Sequence, residues 1–563
     1  DSTAEDFMKK VLLFFIYAVL ALAPLSAAPT PDDDSNHTVS YEGETISGAG
    51  DITGGYGSET ANNNRVIIQS STIEGSSSPL FNTYIIGGWA VNNQSNGNAV
   101  EITDSTVNRN ISGGQATFGT QANHNSVSIT GSKVNEGAPL QEVTTLSRYQ
   151  VEHRLDDQGQ DEYVLSSMAS QTVKTAGDLT PESSAFTTYG GVVAHGEAAY
   201  NTITVTDSNG PIGNNLIAGY SPYLAETTLH HNSVNVVRSQ VQGLIVGAAS
   251  LGAAYDTTVK TPLLNNNNSV LLQSSQVNDV IGAYGGFSTN GNSIVLLDSS
   301  ADNLYGVSFG QNIFYSGDQP SAIENTAYNN SVALYNHSVV NGDIYGAQSH
   351  SVQARGNRVT ISRGSEAKGS IFGANVFNAL VQEDDNTISW NSVQTAAENN
   401  IVTISGSTAG SATAQIAGAQ NLSGWAYQNA VEISDSSVTA ETLAGGWAEH
   451  EKQTLTDSGE HLFSIGYQAN QNSVTSQGSQ LDANVYGGRV SFVDDVNPSG
   501  TADLTPASAS GNFVHLDETS VTGNIYGGSA EGEISSANNN FVWLTHAQVA
   551  GDVYGGQAIG VQS

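Results

Sequence analysis

From Tyr41 onward, apolar and polar positions alternate in short runs that return at nearly constant spacing. The clearest copies are NFVHLDETSVTGNIYGGSA from Asn512, NFVWLTHAQVAGDVYGGQA from Asn540 and NSVALYNHSVVNGDIYGAQ from Asn330. Related copies begin at Asn64, Asn98, Asn125, Asn201, Asn232, Asn268, Asn292, Asn357, Asn400, Asn429 and Asn472, with a degenerate copy near Asn386 and a partial one at 41–55. In each, a Val-x-Ile pair alternates as a half-buried strand does. A bend follows at Ser, then a second alternating run, a Gly-Gly pair read as a corner, and a less regular stretch back to the next Asn. Where connectors are short the period is 27 to 29 residues, as from Asn98 to Asn125 and from Asn400 to Asn429. Two or three short strands per period fit one coil of a solenoid. The pattern predicts an all-β, right-handed parallel β-helix of about fourteen coils. A helical solenoid is excluded, because β-branched residues at period two with Gly-Gly punctuation would not hold helices.

Coils stacked about 4.8 Å apart would make a rod on the order of 65–70 Å long. Val and Ile should face inward, Asn and Ser should form corners, and Gly should supply positive φ at turns. The recurrent Asn reads as a corner ladder, its amide bonded to the coils above and below. The run from Gly-Gly to the next Asn lengthens after Gly247, Gly306, Gly373, Gly446 and Gly488, which places loops along one side of the rod. Insertions are read near 135–188, 448–470 and 489–511. The first contains RYQVEHRL and DEYVLSS around DDQGQ, a pattern that predicts a protruding hairpin. Long decorations on a rigid scaffold are where binding usually sits.

Residues 8–28, MKKVLLFFIYAVLALAPLSAA, carry Lys9 and Lys10, an apolar run, and Ser26 and Ala28 at the −3 and −1 positions of a cleavage site. They read as a signal peptide, too short in its apolar run to span a bilayer. Residues 1–7 precede the plausible start at Met8, and 29–563 form one repeat domain. The whole chain has 53 acidic and 16 basic residues, a net charge of −37, and no Cys. That balance cannot supply the basic footprint nucleic acid requires, and anionic membrane surfaces would repel it. Without Cys there is no thiolate metal site, Cys nucleophile or disulfide framework. Such a chain suits unfolded passage through an oxidising periplasm.

A signal-like segment followed by a Cys-free, acidic, Asn/Gly/Ser-rich solenoid with the GNIYGG or GDVYGG refrain resembles the passenger region of Gram-negative autotransporters. The resemblance covers residues 8–563. It implies an exported adhesin-like protein, secreted or held at the cell surface, whose partner is a host or neighbouring-cell surface protein or glycan. The outer membrane would be engaged only through that family's C-terminal β-barrel, which the residues up to Ser563 do not contain. The alternative is a carbohydrate-active β-helix enzyme, a polysaccharide lyase or hydrolase.

No catalytic motif supports an enzyme: Gly-Asp-Ser-Gly, Gly-x-Ser-x-Gly in a strand–turn–helix setting, and His-Glu-x-x-His are all missing. No Gly-rich loop is followed by Lys-Ser/Thr, so no phosphate cradle and no cofactor are expected. No metal is expected either. His230 and His231 are neighbours on a strand, which should send them to opposite faces. The acidic pairs Asp156–Asp157, Asp384–Asp385 and Asp494–Asp495 fall in insertions and read as solvated charge, although a glycosidase also needs paired carboxylates. One positive feature is the aromatic step after Ile in the refrain. Tyr305, Tyr345, Phe372, Tyr486, Tyr526 and Tyr554, with Trp89 and Trp447 at corners equivalent to each other, form either a stabilising ladder or a binding platform for sugars or host surfaces.

Overall fold

The computed structural model describes residues 33–560 except 49, 76–82, 137–140, 156–160, 176–185, 223–226, 251–263, 286–287, 309–325, 350–352, 377–379, 385–386, 391–394, 423, 451–466, 493–505 and 533. The signal segment with Ser26 and Ala28, residues 1–7, most of 448–470 and 489–511, and the pairs Asp156–Asp157 and Asp494–Asp495 therefore lie outside the described residues. All regular elements among the described residues are strands.

The chain winds as a parallel β-helix. Its first wall is a fifteen-stranded parallel sheet running in chain order from Thr38–Glu42 to Phe541–Thr545. A short strand such as Thr106–Val107 and a longer refrain strand such as Asn110–Ala116 form the second wall. The third wall is an eleven-stranded sheet from Gly196–Ala199 to Ile534–Ser536, continued toward the N-terminus by single bridges such as Gln94 to Gln121. Fifteen rungs replace the expected fourteen, because the first begins at His37, which stands where later rungs have Asn. The suspected copy near Asn386 is not a rung: Leu380–Asp384 and Thr387–Trp390 pair antiparallel with each other as a hairpin.

Alternation along each strand builds the core. Val100 and Ile102 point inward above Val66 and Ile68 and below Val127 and Ile129, all essentially inaccessible. One aliphatic cluster runs from Ile52 to Ile525, and Ala-rich clusters such as Ala327, Ala347, Ala354 and Ala374 pack the second wall against the third. Fully burying each Val, Leu or Ile is worth about 1.5–3 kcal/mol, so the stack of columns is the main cohesion.

The Asn ladder lies at the junction of the third and first walls. The backbone N–H of Asn98 donates to Asn125 Oδ1 at 2.9 Å, that of Asn330 to Asn357 Oδ1 at 3.0 Å, and that of Asn512 to Asn540 Oδ1 at 2.9 Å. Amide Nδ2 groups within the column also donate, as that of Asn330 does onward to Asn357 Oδ1 and back to the Thr289 carbonyl. The residue before each ladder Asn is left-handed: Asn63, Gly97, Asn267, Gly356 and Asn539 all have φ between 54° and 68°. This explains the Asn-Asn and Gly-Asn dipeptides, since those residues tolerate that conformation best. A second ladder joins Ser hydroxyls, such as Ser105 N–H to Ser132 Oγ at 3.0 Å.

The refrain glycines correct the expectation made for them. Gly87–Gly88 lies inside the strand Tyr84–Ala90, and neither residue has positive φ. They are required by space. A Cβ on Gly87 would collide with the Gly113 carbonyl of the next rung, and one on Gly88 with the amide of Asn98, the Asn that opens that next rung. Strand pairing skips the first glycine of each pair, as between Ile86–Ser112 and Gly88–Gly114. The wall thus bends inside a continuous strand, against the Asn column.

Insertions leave where the sequence places them. Refrain strands end at Ser250, Ser308, Val376, His450 and Phe492, and the next third-wall strands begin at Leu264, Thr326, Thr395, Tyr467 and Pro506. All five lengthened connections thus share one corner. The hairpin of Gln141–Leu155 and Asp161–Thr175 leaves the second wall instead, after Lys133–Val134.

Candidate binding surfaces

All six aromatic residues of the refrain step stand in one column of the second wall. Its register runs Tyr305, Tyr345, Phe372, Ala417, Ala444, Tyr486, Tyr526, Tyr554. Tyr305 and Tyr345 stack with centroids 5.5 Å apart and planes at 6°, and Phe372 continues the stack at 5.4 Å. Tyr486, Tyr526 and Tyr554 repeat it at 4.8 and 5.0 Å. Two alanines separate the two stacks. Trp89 and Trp447 occupy a neighbouring column, three residues along the strand. Their indole N–H groups donate to Thr117 Oγ1 at 2.8 Å and Ser491 Oγ at 2.7 Å. Arg489 lies over both Trp447 and Tyr486, 4.7 and 5.1 Å from their centroids.

This arrangement is a ladder. Trp89, Tyr305, Tyr345, Phe372 and Trp447 are between 0% and 7% exposed, and the stacked rings spend their faces on each other. Tyr486, Tyr526 and Tyr554 are half-buried. Burial pushes the Tyr486 phenol up from its ordinary value, and hydrogen bonding to Asp552 does the same for Tyr554. A planar ligand gains little from rings whose faces are already covered.

A polar groove of ≈ 560 Å³ crosses the Ser corner between the first and second walls. Arg238, Gln240, Gln276, Asp298 and His337 line it above the ladder hydroxyls of Ser239, Ser275 and Ser299. Asp207 at its margin is neutralised by Arg238, whose Nε and Nη2 donate to Oδ1 at 2.6 Å and Oδ2 at 2.8 Å. That contact holds the Asp207 carboxyl below its usual range. Asp298 faces His337 at 4.0 Å. Two free carboxylates do not converge here.

The third-wall corner of rungs three to five carries a cluster the sequence reading mistook. His231 is left-handed at φ 54° and follows the strand Thr227–His230, so the two rings do not point to opposite faces. Their Nδ1 atoms lie 2.8 Å apart. His230 Nε2 meets Glu197 Oε1 at 2.7 Å, and Asn123 Nδ2 donates to Glu197 Oε2 at 2.8 Å. Hydrogen bonding from His230 is the main cause that holds the Glu197 carboxyl below its usual value. Tyr200 stacks between His124 and His231, 4.9 Å from each. Among the described residues no group of three or more His, Cys, Asp or Glu is disposed to hold a metal ion.

Sequence reasoning also missed the outward face of the last two first-wall strands. Phe541 and Trp543 are 64% and 62% exposed there, beside Phe513 and His515. The visible signal was aromatic residues at the polar positions of NFVHLD and NFVWLT. No protein-family model matches the chain, and no curated protein matches it.

Proposed function

We propose that this chain is an exported, surface-displayed β-solenoid that works as an autotransporter-type adhesin or cell-contact protein. The observation that carries the reading is the single corner from which five lengthened connections leave a rod locked by ladders on its other corners. A rigid scaffold that concentrates variable segments on one side favours distributed contact over one buried active site. Export rests on the signal-like residues 8–28. The partner would be a host or neighbouring-cell surface protein or glycan, and the acidic skin would discourage self-association.

The test is attachment of cells displaying the chain. Shortening 137–185 and 451–466 to tight linkers should abolish attachment while surface display persists. Full attachment by the shortened chain would overturn the reading. The carbohydrate-active alternative finds its one support in the polar groove, yet Asp207 there is already paired with Arg238. Polysaccharide cleavage by the purified chain that is lost in Asp298→Asn would favour that alternative.

A further inference from the structure

We infer that Phe513, His515, Phe541 and Trp543 form a binding platform for a neutral glycan on the outer face of the first wall. In register, Phe513 lies beside Phe541 and His515 beside Trp543, all at outward positions. The inward residues of the same strands, Val514, Leu516, Val542 and Leu544, continue the core columns. Phe541 and Trp543 face outward, and they are more exposed than the half-buried Phe513 and His515 beside them because, like Leu544 at 38%, they stand on the last described strand of this wall. His515 lies 5.5 Å from Trp543 at a 47° tilt and 5.9 Å from Phe513 at 36°. These tilts differ from the flush stacking of the tyrosine column and leave ring faces open.

The patch is local. In the thirteen preceding strands of this wall, the same two outward positions hold no aromatic residue and are mostly Ser, Thr or Ala, as in Ser473 and Thr475 or Ser331 and Ala333. Its border is polar: Asp517 ends the strand, with His546 3.9 Å from its carboxylate. Aromatic faces beside acceptors and donors match a sugar ring, whose C–H face packs on π-electrons while its hydroxyls reach the rim. A protein partner is disfavoured by size, since four side chains supply far less than the roughly 800 Å² per side that a stable interface needs. A polyanion is disfavoured by the chain's net charge of −37.

This inference deepens the contact role proposed above by naming a ligand class, and its test is separate from attachment through the insertions. Cellohexaose, maltohexaose and chitohexaose are titrated into the purified full chain by calorimetry, with tryptophan emission recorded in parallel. At least one hexasaccharide should bind and shift the emission of exposed Trp543. Trp543→Ala should weaken that binding tenfold or more and Phe541→Ala severalfold, with unchanged melting temperatures because both positions face solvent. Heparin should not compete. The platform is overturned if no hexasaccharide binds at millimolar concentration or if both variants bind like the wild type. It is equally overturned if Trp543→Ala instead dissolves a concentration-dependent dimer, which would make a second copy the occupant.

Discussion

At the scale of single residues, the ladder Asn and the refrain Gly carry different duties. Asn330 Oδ1 accepts both the backbone N–H and the Nδ2 of Asn292, each at 3.0 Å, inside a column with no solvent access. Asn330→Ala strands those donors, and each buried unsatisfied group costs about 1–3 kcal/mol. Urea unfolding should show that loss, while outward-facing Ser331→Ala should stay within about 0.5 kcal/mol. Gly487 is not left-handed, so backbone preference alone would tolerate alanine there. Its Cβ would strike the Gly527 carbonyl, however, and overpacking of that kind costs about 1–3 kcal/mol. Gly291, with φ 68°, is the opposite case. Gly291→Asn should be tolerated far better than Gly487→Ala, because Asn267 and Asn329 hold the same conformation in adjoining rungs. The Asn column was legible in the sequence through its period. The reason for Gly-Gly was not, because sequence does not distinguish a glycine needed for φ from one needed for space. Glu197 adds a pH-dependent case. Its carboxyl is held below the ordinary value of 4.5, chiefly by His230, so its stabilisation is present above that pH and fades as pH falls through the folded value. Its side chain is 38% exposed, so Glu197→Gln should lower stability at pH 7 by less than about 1 kcal/mol. The gap from wild type should close below pH 4.5 in parallel urea titrations.

At the scale of elements, insertions and rungs are separable. Strands Gln141–Leu155 and Asp161–Thr175 pair only with each other, while the coil resumes when the Thr187 N–H donates to Asn110 Oδ1 at 2.8 Å. Replacing 137–185 with a short glycine linker should shift the melting temperature by no more than about 2 °C. A large drop, read by circular dichroism, would mean the hairpin braces the coil. This hairpin and the loop-bearing corner were legible because insertions break a strict period. The hairpin of Leu380–Asp384 and Thr387–Trp390 was misread as a rung, since NTISW imitates the Asn-x-Ile opening without the Gly-Gly that should close it. The aromatic column was legible as a column, but its burial was not. Exposure depends on what lies in adjacent columns, and those meet only once the register is fixed. Phe541 and Trp543 escaped notice for the same reason: alternation assigns them outward, yet the pattern was treated as scaffold.

At the scale of the whole molecule, the fifteen rungs among the described residues stack at about 4.8 Å over about 67 Å, and the chain that forms them carries a net charge of −37. The second-wall corner shows how carboxylates can be kept apart within one column. Asp279 and Asp343 are separated by Asn303, whose backbone N–H donates to Asp279 Oδ1 at 3.1 Å and whose Oδ1 accepts the Asp343 N–H at 2.8 Å. Acids alternate with an amide, two rungs or about 10 Å apart. That distance exceeds the screening length of about 8 Å at 0.15 M salt, but lies well inside the roughly 30 Å that applies at 0.01 M. Ion pairs of Lys or Arg with carboxylates among the described residues include Arg65 with Glu101, Lys133 with Glu136 and Arg238 with Asp207. All three are exposed and individually weak. Self-repulsion should therefore outweigh attraction in dilute buffer, and added salt should relieve it. The melting temperature should rise between 0.01 and 0.15 M sodium chloride and flatten above that range. A fall over the same interval would show that surface ion pairs dominate, and the separation of Asp279 from Asp343 by Asn303 would then lose its significance for stability.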